Sequence, residues 1–201
     1  MLSNDNKLTP LLYTALELAF KLHGHDTRKK SNIPYLAHLL SVCALVQLDG
    51  GSEEEAIAAM LHDALEDKPE EISREQIRQQ FGDNVLKIIE ISSDTPRDYR
   101  GGEKPPWKER KEAYIAHIKD TDPSLLRVTI ADKIDNARAI LADHQRLGDE
   151  VWKRFNAGKE DQLWYYKNCL KAFDETGFEG PLLEELRKLV NQLRVPSGNS
   201  L

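Results

Sequence analysis

The chain has 201 residues, 40% hydrophobic and 31% charged, which suits one globular domain with a sizeable core and a strongly solvated surface. No apolar run approaches the length that spans a bilayer, and the start, Met1 to Lys7, lacks the apolar centre of a signal peptide, so a cytoplasmic location and no membrane partner are expected. A formal net charge of −6 argues against a nucleic-acid polymer as partner, because such affinity comes from a basic surface, but it leaves room for a small polyanion in a local basic pocket.

The hydrophobic period is helical nearly throughout, and no segment reads as a convincing strand. Thr9-Pro10 supplies an N-cap and a first helical residue, opening a helix that carries Leu12, Leu16, Ala19 and Phe20 towards Gly24. A polar stretch from Asp26 to Ile33 leads to Pro34, which opens a second helix ending at Gly50-Gly51. Ser52 with Glu55 forms a capping box for a third helix, expected to run through His62-Asp63. Ser73 with Gln76 repeats the device for a short fourth helix before Gly82, and Asp83 to about Ser92 continues the pattern. Asp94 to Pro106, with three prolines and two glycines, is a loop. Further helices are expected over Trp107 to Lys119, from Asp122-Pro123 through Asp132 to about Asp143, near Asp149 to Asn156, near Glu160 to Phe173, and after Pro181. The expectation is one all-α bundle of about ten helices over residues 1–195, followed by a flexible polar tail over 196–201. Cys43 and Cys169 both lie in apolar helical patterns and read as buried thiols in a reducing compartment.

The chemistry concentrates at His62-Asp63, with Glu66-Asp67 one helical turn later. Four ionisable groups in six residues, inside an alanine-rich apolar run, are costly to bury without a compensating charge, and a divalent metal supplies one. On a continuous helix His62 would share a face with Glu66, and Asp63 with Asp67. Two ligands would then sit on one turn and two carboxylates able to act on a water on the next. His38 is a lone imidazole in Pro34 to Leu40, and Asp132 a lone carboxylate in Val128 to Ile134. Singly, His38 reads as a hydrogen-bonded core residue and Asp132 as a partner for Lys133. Together they complete an ordered H…HD…D pattern whose mixed nitrogen and oxygen donors suit a borderline-to-hard divalent cation.

These residues carry a resemblance. With His23 to His25, Arg28-Lys29, Ile33-Pro34-Tyr35, Leu61 to Asp67, Phe81-Gly82, Lys104, Glu109-Arg110-Lys111 and Ala131-Asp132-Lys133 with Asn136 and Arg138, the chain resembles the HD-domain phosphohydrolases. The likeness is to the hydrolase domain of RelA/SpoT-type alarmone enzymes, and within these to the stand-alone small alarmone hydrolases such as the metazoan SpoT homologue. It covers roughly residues 12 to 175, leaving no room for the family's synthetase half. The resemblance implies manganese held by His38, His62, Asp63 and Asp132, with Glu66 and Asp67 activating the attacking water. The implied activity is metal-dependent hydrolysis of guanosine 3′,5′-bis(diphosphate) and its pentaphosphate at the 3′ position, releasing pyrophosphate. The same chemistry on adenosine analogues and a non-catalytic nucleotide-binding domain are the alternatives, and homo-oligomerisation is left open.

The resemblance also implies substrate contacts. Arg28 and Lys29, followed by Lys30, would meet the nucleotide by stacking or by forking onto phosphate, the alternative being a solvated basic loop. Lys104, Arg110 and Lys111 would meet distal phosphates, the alternative being a solvated helix surface. Asn136, one turn beyond Asp132, would face the same cavity, together with Lys133 and Arg138. Tyr165, in Leu163 to Tyr166, would contact base or sugar, the alternative being core packing. Two departures bear on the choice of base: a slightly short loop between Arg28 and Pro34, and Asp135, where relatives often carry a larger residue.

Overall fold

The computed structural model describes residues 8–29, 31–96 and 99–194, and among these it is all-helical. The α-helices are α1 (Pro10–His23), α2 (Tyr35–Leu48), α3 (Glu53–Leu61), α4 (Ala64–Asp67), α5 (Arg74–Phe81), α6 (Asp83–Ser92), α7 (Trp107–Lys119), α8 (Arg127–Leu147), α9 (Lys159–Thr176) and α10 (Pro181–Leu193). The expected tail over 196–201 and Lys30 lie outside the described residues.

The caps expected from sequence close as hydrogen bonds. Thr9 Oγ1 accepts from the Leu11 amide, and Ser52 and Ser73 each form a reciprocal capping box with Glu55 and Gln76. Three glutamates in the first turn of α3 face its positive end. Three expectations shift. The segment opened by Asp122-Pro123 is a 3-10 turn, Pro123–Leu125, and α8 starts after it and runs on to Leu147. Gly148–Arg154 is 3-10 helix. The third helix stops at Leu61, and His62-Asp63 forms a turn before α4.

α3 is the central element. Its residues Ala56 to Leu61 are all buried, and α1, α2, α6 and α8 pack around it. Alanines at 56, 58 and 59 let those neighbours approach closely, and Ile57, Met60 and Leu61 fill the space between them. Arg127, at the start of α8, donates to Asp49 after α2 (2.9 Å) and to Glu55 of α3 (2.5 Å), tying three helix ends together. Gly51 sits inside this knot, where a Cβ would fall 2.6 Å from a Val46 methyl and 2.8 Å from its carbonyl oxygen. These packings bring the C-terminal end of α3, the first turn of α2 and the second turn of α8 to one point.

Candidate metal centre

His38 from α2, His62 from the turn after α3 and Asp132 from α8 are buried together, and each offers a ligand atom within 4.8 Å of the others. The second nitrogen of each imidazole is already engaged. His62 Nδ1 lies 2.9 Å from the Ala59 carbonyl oxygen, which can only accept, so Nδ1 carries the proton and Nε2 is the atom aimed into the cluster. His38 Nδ1 lies 2.7 Å from Asp135 Oδ2, leaving its Nε2 3.3 Å from Asp132 Oδ1. Asp63 adds its Oδ2 at 3.0 Å from His62 Nε2 and 3.6 Å from His38 Nε2, while Tyr35 donates to the same oxygen. His62 Nε2 has no hydrogen-bond partner although it is fully enclosed. Two imidazole nitrogens converging on two carboxylates, with one nitrogen unsatisfied, is a donor set that fits a divalent cation.

The electrostatics agree. Burial works against a charged imidazole, yet hydrogen bonds to Asp132, Asp135 and Asp63 hold His38 up to about 10, and Asp63 and Asp132 hold His62 well above its ordinary value. Both imidazoles therefore sit in strongly negative surroundings, and a divalent cation held there would compete with protons for their nitrogens. Asp135, pushed up by burial, is brought down to about 2 by hydrogen bonds from His38, Ser41 and Arg28. Lys133 donates to Asp132 Oδ2 at 2.5 Å, so the pairing read as the bland alternative for Asp132 coexists with its place in the cluster.

The turn at His62-Asp63 corrects the expectation of one continuous helix. Both residues keep right-handed helical dihedrals there, and both side chains reach the cluster. Glu66 and Asp67 follow on α4 with different surroundings. Glu66 accepts from Lys104 Nζ (2.9 Å), Ser93 Oγ (3.2 Å) and the Asp94 amide (3.4 Å). Asp67 has one distant cation, Lys104 at 3.8 Å, and is pushed up to about 7 by burial and by the charges of Asp63 and Glu66. Its side chain keeps 42% exposure, so solvent relieves part of that push.

A cavity of about 380 Å³ opens beside the cluster. Tyr35, Lys133 and Asn136 line it and each touches a cluster residue, Asn136 Nδ2 donating to Asp132 Oδ1 at 2.5 Å. Its described lining carries six cations (Arg28, Lys29, Lys111, Lys133, Arg146 and Arg154) and one carboxylate, Asp143. Aromatic rings from Trp107, Phe155, Tyr165 and Tyr166 complete the wall.

Of the expected substrate contacts, Arg28, Lys29, Lys111, Lys133, Asn136 and Tyr165 are thus brought together. Tyr165 is also core, 5% exposed and packed on Trp107 and Tyr166, while it forms part of the cavity wall. Lys104 instead caps Glu66. Arg110 and Lys111 both bind the buried Asp94, and of the two only Lys111 faces the cavity. Arg138 points elsewhere, pairing with Glu185 of α10 at 2.5 Å. The sequence reading missed Arg146 and Arg154, and weighed Asp135 only for the choice of base. Asn136, Ala139, Asp143 and Arg146 recur at helical spacing along one face of α8, a signal lost by ending that helix near Asp143.

The HD domain family model matches residues 15–162, about three quarters of the chain. Xenopus tropicalis MESH1, a guanosine-3′,5′-bis(diphosphate) 3′-pyrophosphohydrolase, is 30% identical over 145 residues, 71% of this chain and 74% of its own. An Aquifex aeolicus protein with the same activity name is 32% identical over 129 residues, 63% of this chain but only 17% of that much longer relative. Among solved structures, Listeria monocytogenes lmo0812 superposes with a TM-score of 0.67 at 27% identity, covering 78% of this chain and 97% of its own. A metazoan SpoT orthologue described as hydrolysing ppGpp superposes with a TM-score of 0.74 over 93% of this chain and 97% of its own; at 21% identity it speaks for the fold. No described helix is long and apolar enough to cross a membrane. The buried His38–His62–Asp132 group is the one typical of HD metal sites, and the chain belongs to the HD domain family, related to the ppGpp 3′-pyrophosphohydrolases.

Proposed function

We propose that the protein hydrolyses guanosine 3′,5′-bis(diphosphate) and its pentaphosphate at the 3′ position, releasing pyrophosphate and GDP or GTP. The observation that carries this reading is the adjacency of a His/His/Asp cluster to a cationic, aromatic cavity in an acidic protein. Such a cavity takes a small, multiply phosphorylated molecule with a flat base, and the related pyrophosphohydrolases supply its identity. His38, His62 and Asp132 would hold the metal with Asp63 as fourth donor, and we assign manganese by the same relatedness. Bound there, the metal would supply Lewis-acid charge to offset that developing on the phosphoryl oxygens and make water a stronger nucleophile.

The remaining steps belong to the chain's own groups. Lys133, which donates to Asp132, and Lys111 both line the cavity and would draw the 3′-diphosphate towards the cluster. Arg28 has both terminal nitrogens committed, to Asp135 at 2.5 Å and Asn136 at 2.8 Å, so its edge is used and its flat face is left for stacking on the base. Asp67, whose proton affinity is raised by burial and the neighbouring carboxylates, would take the proton of the attacking water. Glu66, held by Lys104, Ser93 and Asp94, would fix the end of α6 and Lys104 beside α4 rather than carry a proton. Water would attack the phosphorus next to the ribose, the P–O3′ bond would break, and the proton that Asp67 takes from the water would pass to the leaving 3′-oxygen.

The test is release of pyrophosphate from a panel of guanosine and adenosine 3′-pyrophosphates by the manganese-loaded protein, beside His62→Ala and Asp132→Ala. Turnover of the guanosine compounds, lost with metal content in both variants, is expected. Faster turnover of the adenosine compounds would move the reading to that base. No turnover of any member by a protein of full metal content would overturn it.

A further inference from the structure

Asp135 is 9% exposed, lies one turn beyond Asp132 on α8, and offers a single carboxylate oxygen to two partners from different parts of the chain. Oδ2 accepts from His38 Nδ1 at 2.7 Å and from the Arg28 guanidinium at 2.5 Å. The other arm of Arg28 donates to Asn136 Oδ1 at 2.8 Å, and Asn136 Nδ2 donates to Asp132 Oδ1 at 2.5 Å. Arg28 is therefore joined to the cluster by two branches, one ending on His38 and one on Asp132. It sits in the cavity wall, on a segment fixed by its own amide donating to the Ile33 carbonyl at 2.8 Å.

We propose that Asp135 is a positioning residue that couples the metal cluster to the nucleotide cavity through this shared oxygen. An ionised carboxylate only accepts, so it fixes the proton of His38 on Nδ1 and turns Nε2 into the cluster. The same oxygen holds the Arg28 edge, so a ligand that shifts the guanidinium also changes the support behind His38. Asp135 thereby has a role other than the size of the base pocket. This inference rests on the metal reading of the cluster.

The experiment measures Mn²⁺ affinity by calorimetry, without nucleotide, for the full chain, Asp135→Ala, Asp135→Asn, Arg28→Ala and the Arg28→Ala/Asp135→Ala double variant. Removing such support from a metal-binding histidine lowers affinity roughly 10- to 100-fold. That loss is expected for Asp135→Ala and a smaller one for Asp135→Asn, which keeps an acceptor oxygen. Arg28→Ala is expected to change Mn²⁺ affinity by about three-fold or more, and by distinctly less once Asp135 is gone, the remainder passing through Asn136 to Asp132. Wild-type affinity in Asp135→Ala, or an Arg28 effect undiminished in the double variant, would overturn the coupling while leaving the metal reading intact. Absence of Mn²⁺ binding by the full chain would remove both. Should the variants fail to fold, nitrogen-15 NMR of histidine in the Zn²⁺-loaded full chain decides: His38 protonated at Nδ1 is required, and protonation at Nε2 excludes the proposal.

Discussion

Asp67 and Glu66 are neighbours with the same functional group and different surroundings, and those of Asp67 predict how it responds to pH. Asp67 in the cation-free folded protein holds its proton to about 7, above its value in the unfolded chain, because of burial and the nearby carboxylates. The folded state therefore binds more protons between about pH 4 and 7, and stability falls as pH rises through that window. Asp67→Asn abolishes the penalty. Discounted for the exposure of the side chain, it should raise the melting temperature of metal-free protein at pH 8 by roughly 2–4 °C, on the scale of about 1 kcal/mol, and by little at pH 4. An equal effect at both pH values would show that the charge on Asp67 is not what destabilises. The sequence put both carboxylates in one role because it shows spacing only. Lys104, 38 positions away, and Ser93 with Asp94, 27 and 28 away, are what separate them.

At the level of elements, what is local was readable and what depends on packing was not. The caps at Thr9, Ser52 and Ser73 involve residues two or three apart, and each closes as expected. The break after Leu61 has no glycine or proline to announce it; Leu61-His62-Asp63-Ala64 would propagate a helix on propensity alone. His62 and Asp63 there converge with side chains from α2 and α8. The pairing of Lys133 with Asp132, its neighbour in sequence, was legible, whereas the 3-10 form of Gly148–Arg154 was not. Gly51 shows how tightly α3 is held at its other end. Gly51→Ala would force its Cβ onto Val46 backbone and side-chain atoms, so a loss of about 1–3 kcal/mol is expected, as for an overpacked site. Urea unfolding of the two proteins measures it. Ser52→Ala, which removes only the cap, should cost about 1 kcal/mol and leave metal content unchanged.

For the molecule as a whole, the informative feature is a charge inversion: net charge −6 over the whole chain, yet six cations against one carboxylate in the described cavity lining. Composition excluded a basic surface but could not locate the pocket, because its walls come from the Arg28 segment, α7, α8, the 3-10 segment and α9. Arg154 belongs to that 3-10 segment and pairs with Asp143, which Arg146 also binds. Arg154→Ala leaves Asp143 with one partner and lowers the local positive potential, without contact to the His/His/Asp cluster. On the proposed activity its effect should fall on substrate capture: KM for guanosine 3′,5′-bis(diphosphate) rises roughly three- to ten-fold and kcat changes little. Screening weakens the same attraction, so KM of the parent protein should climb as salt is raised from about 50 to 300 mM, with a shallower climb in Arg154→Ala. Steady-state kinetics across that range, with metal content checked at each point, gives both slopes. A parent KM indifferent to salt would mean that the cavity cations are neutralised by their own partners and that stacking alone holds the nucleotide.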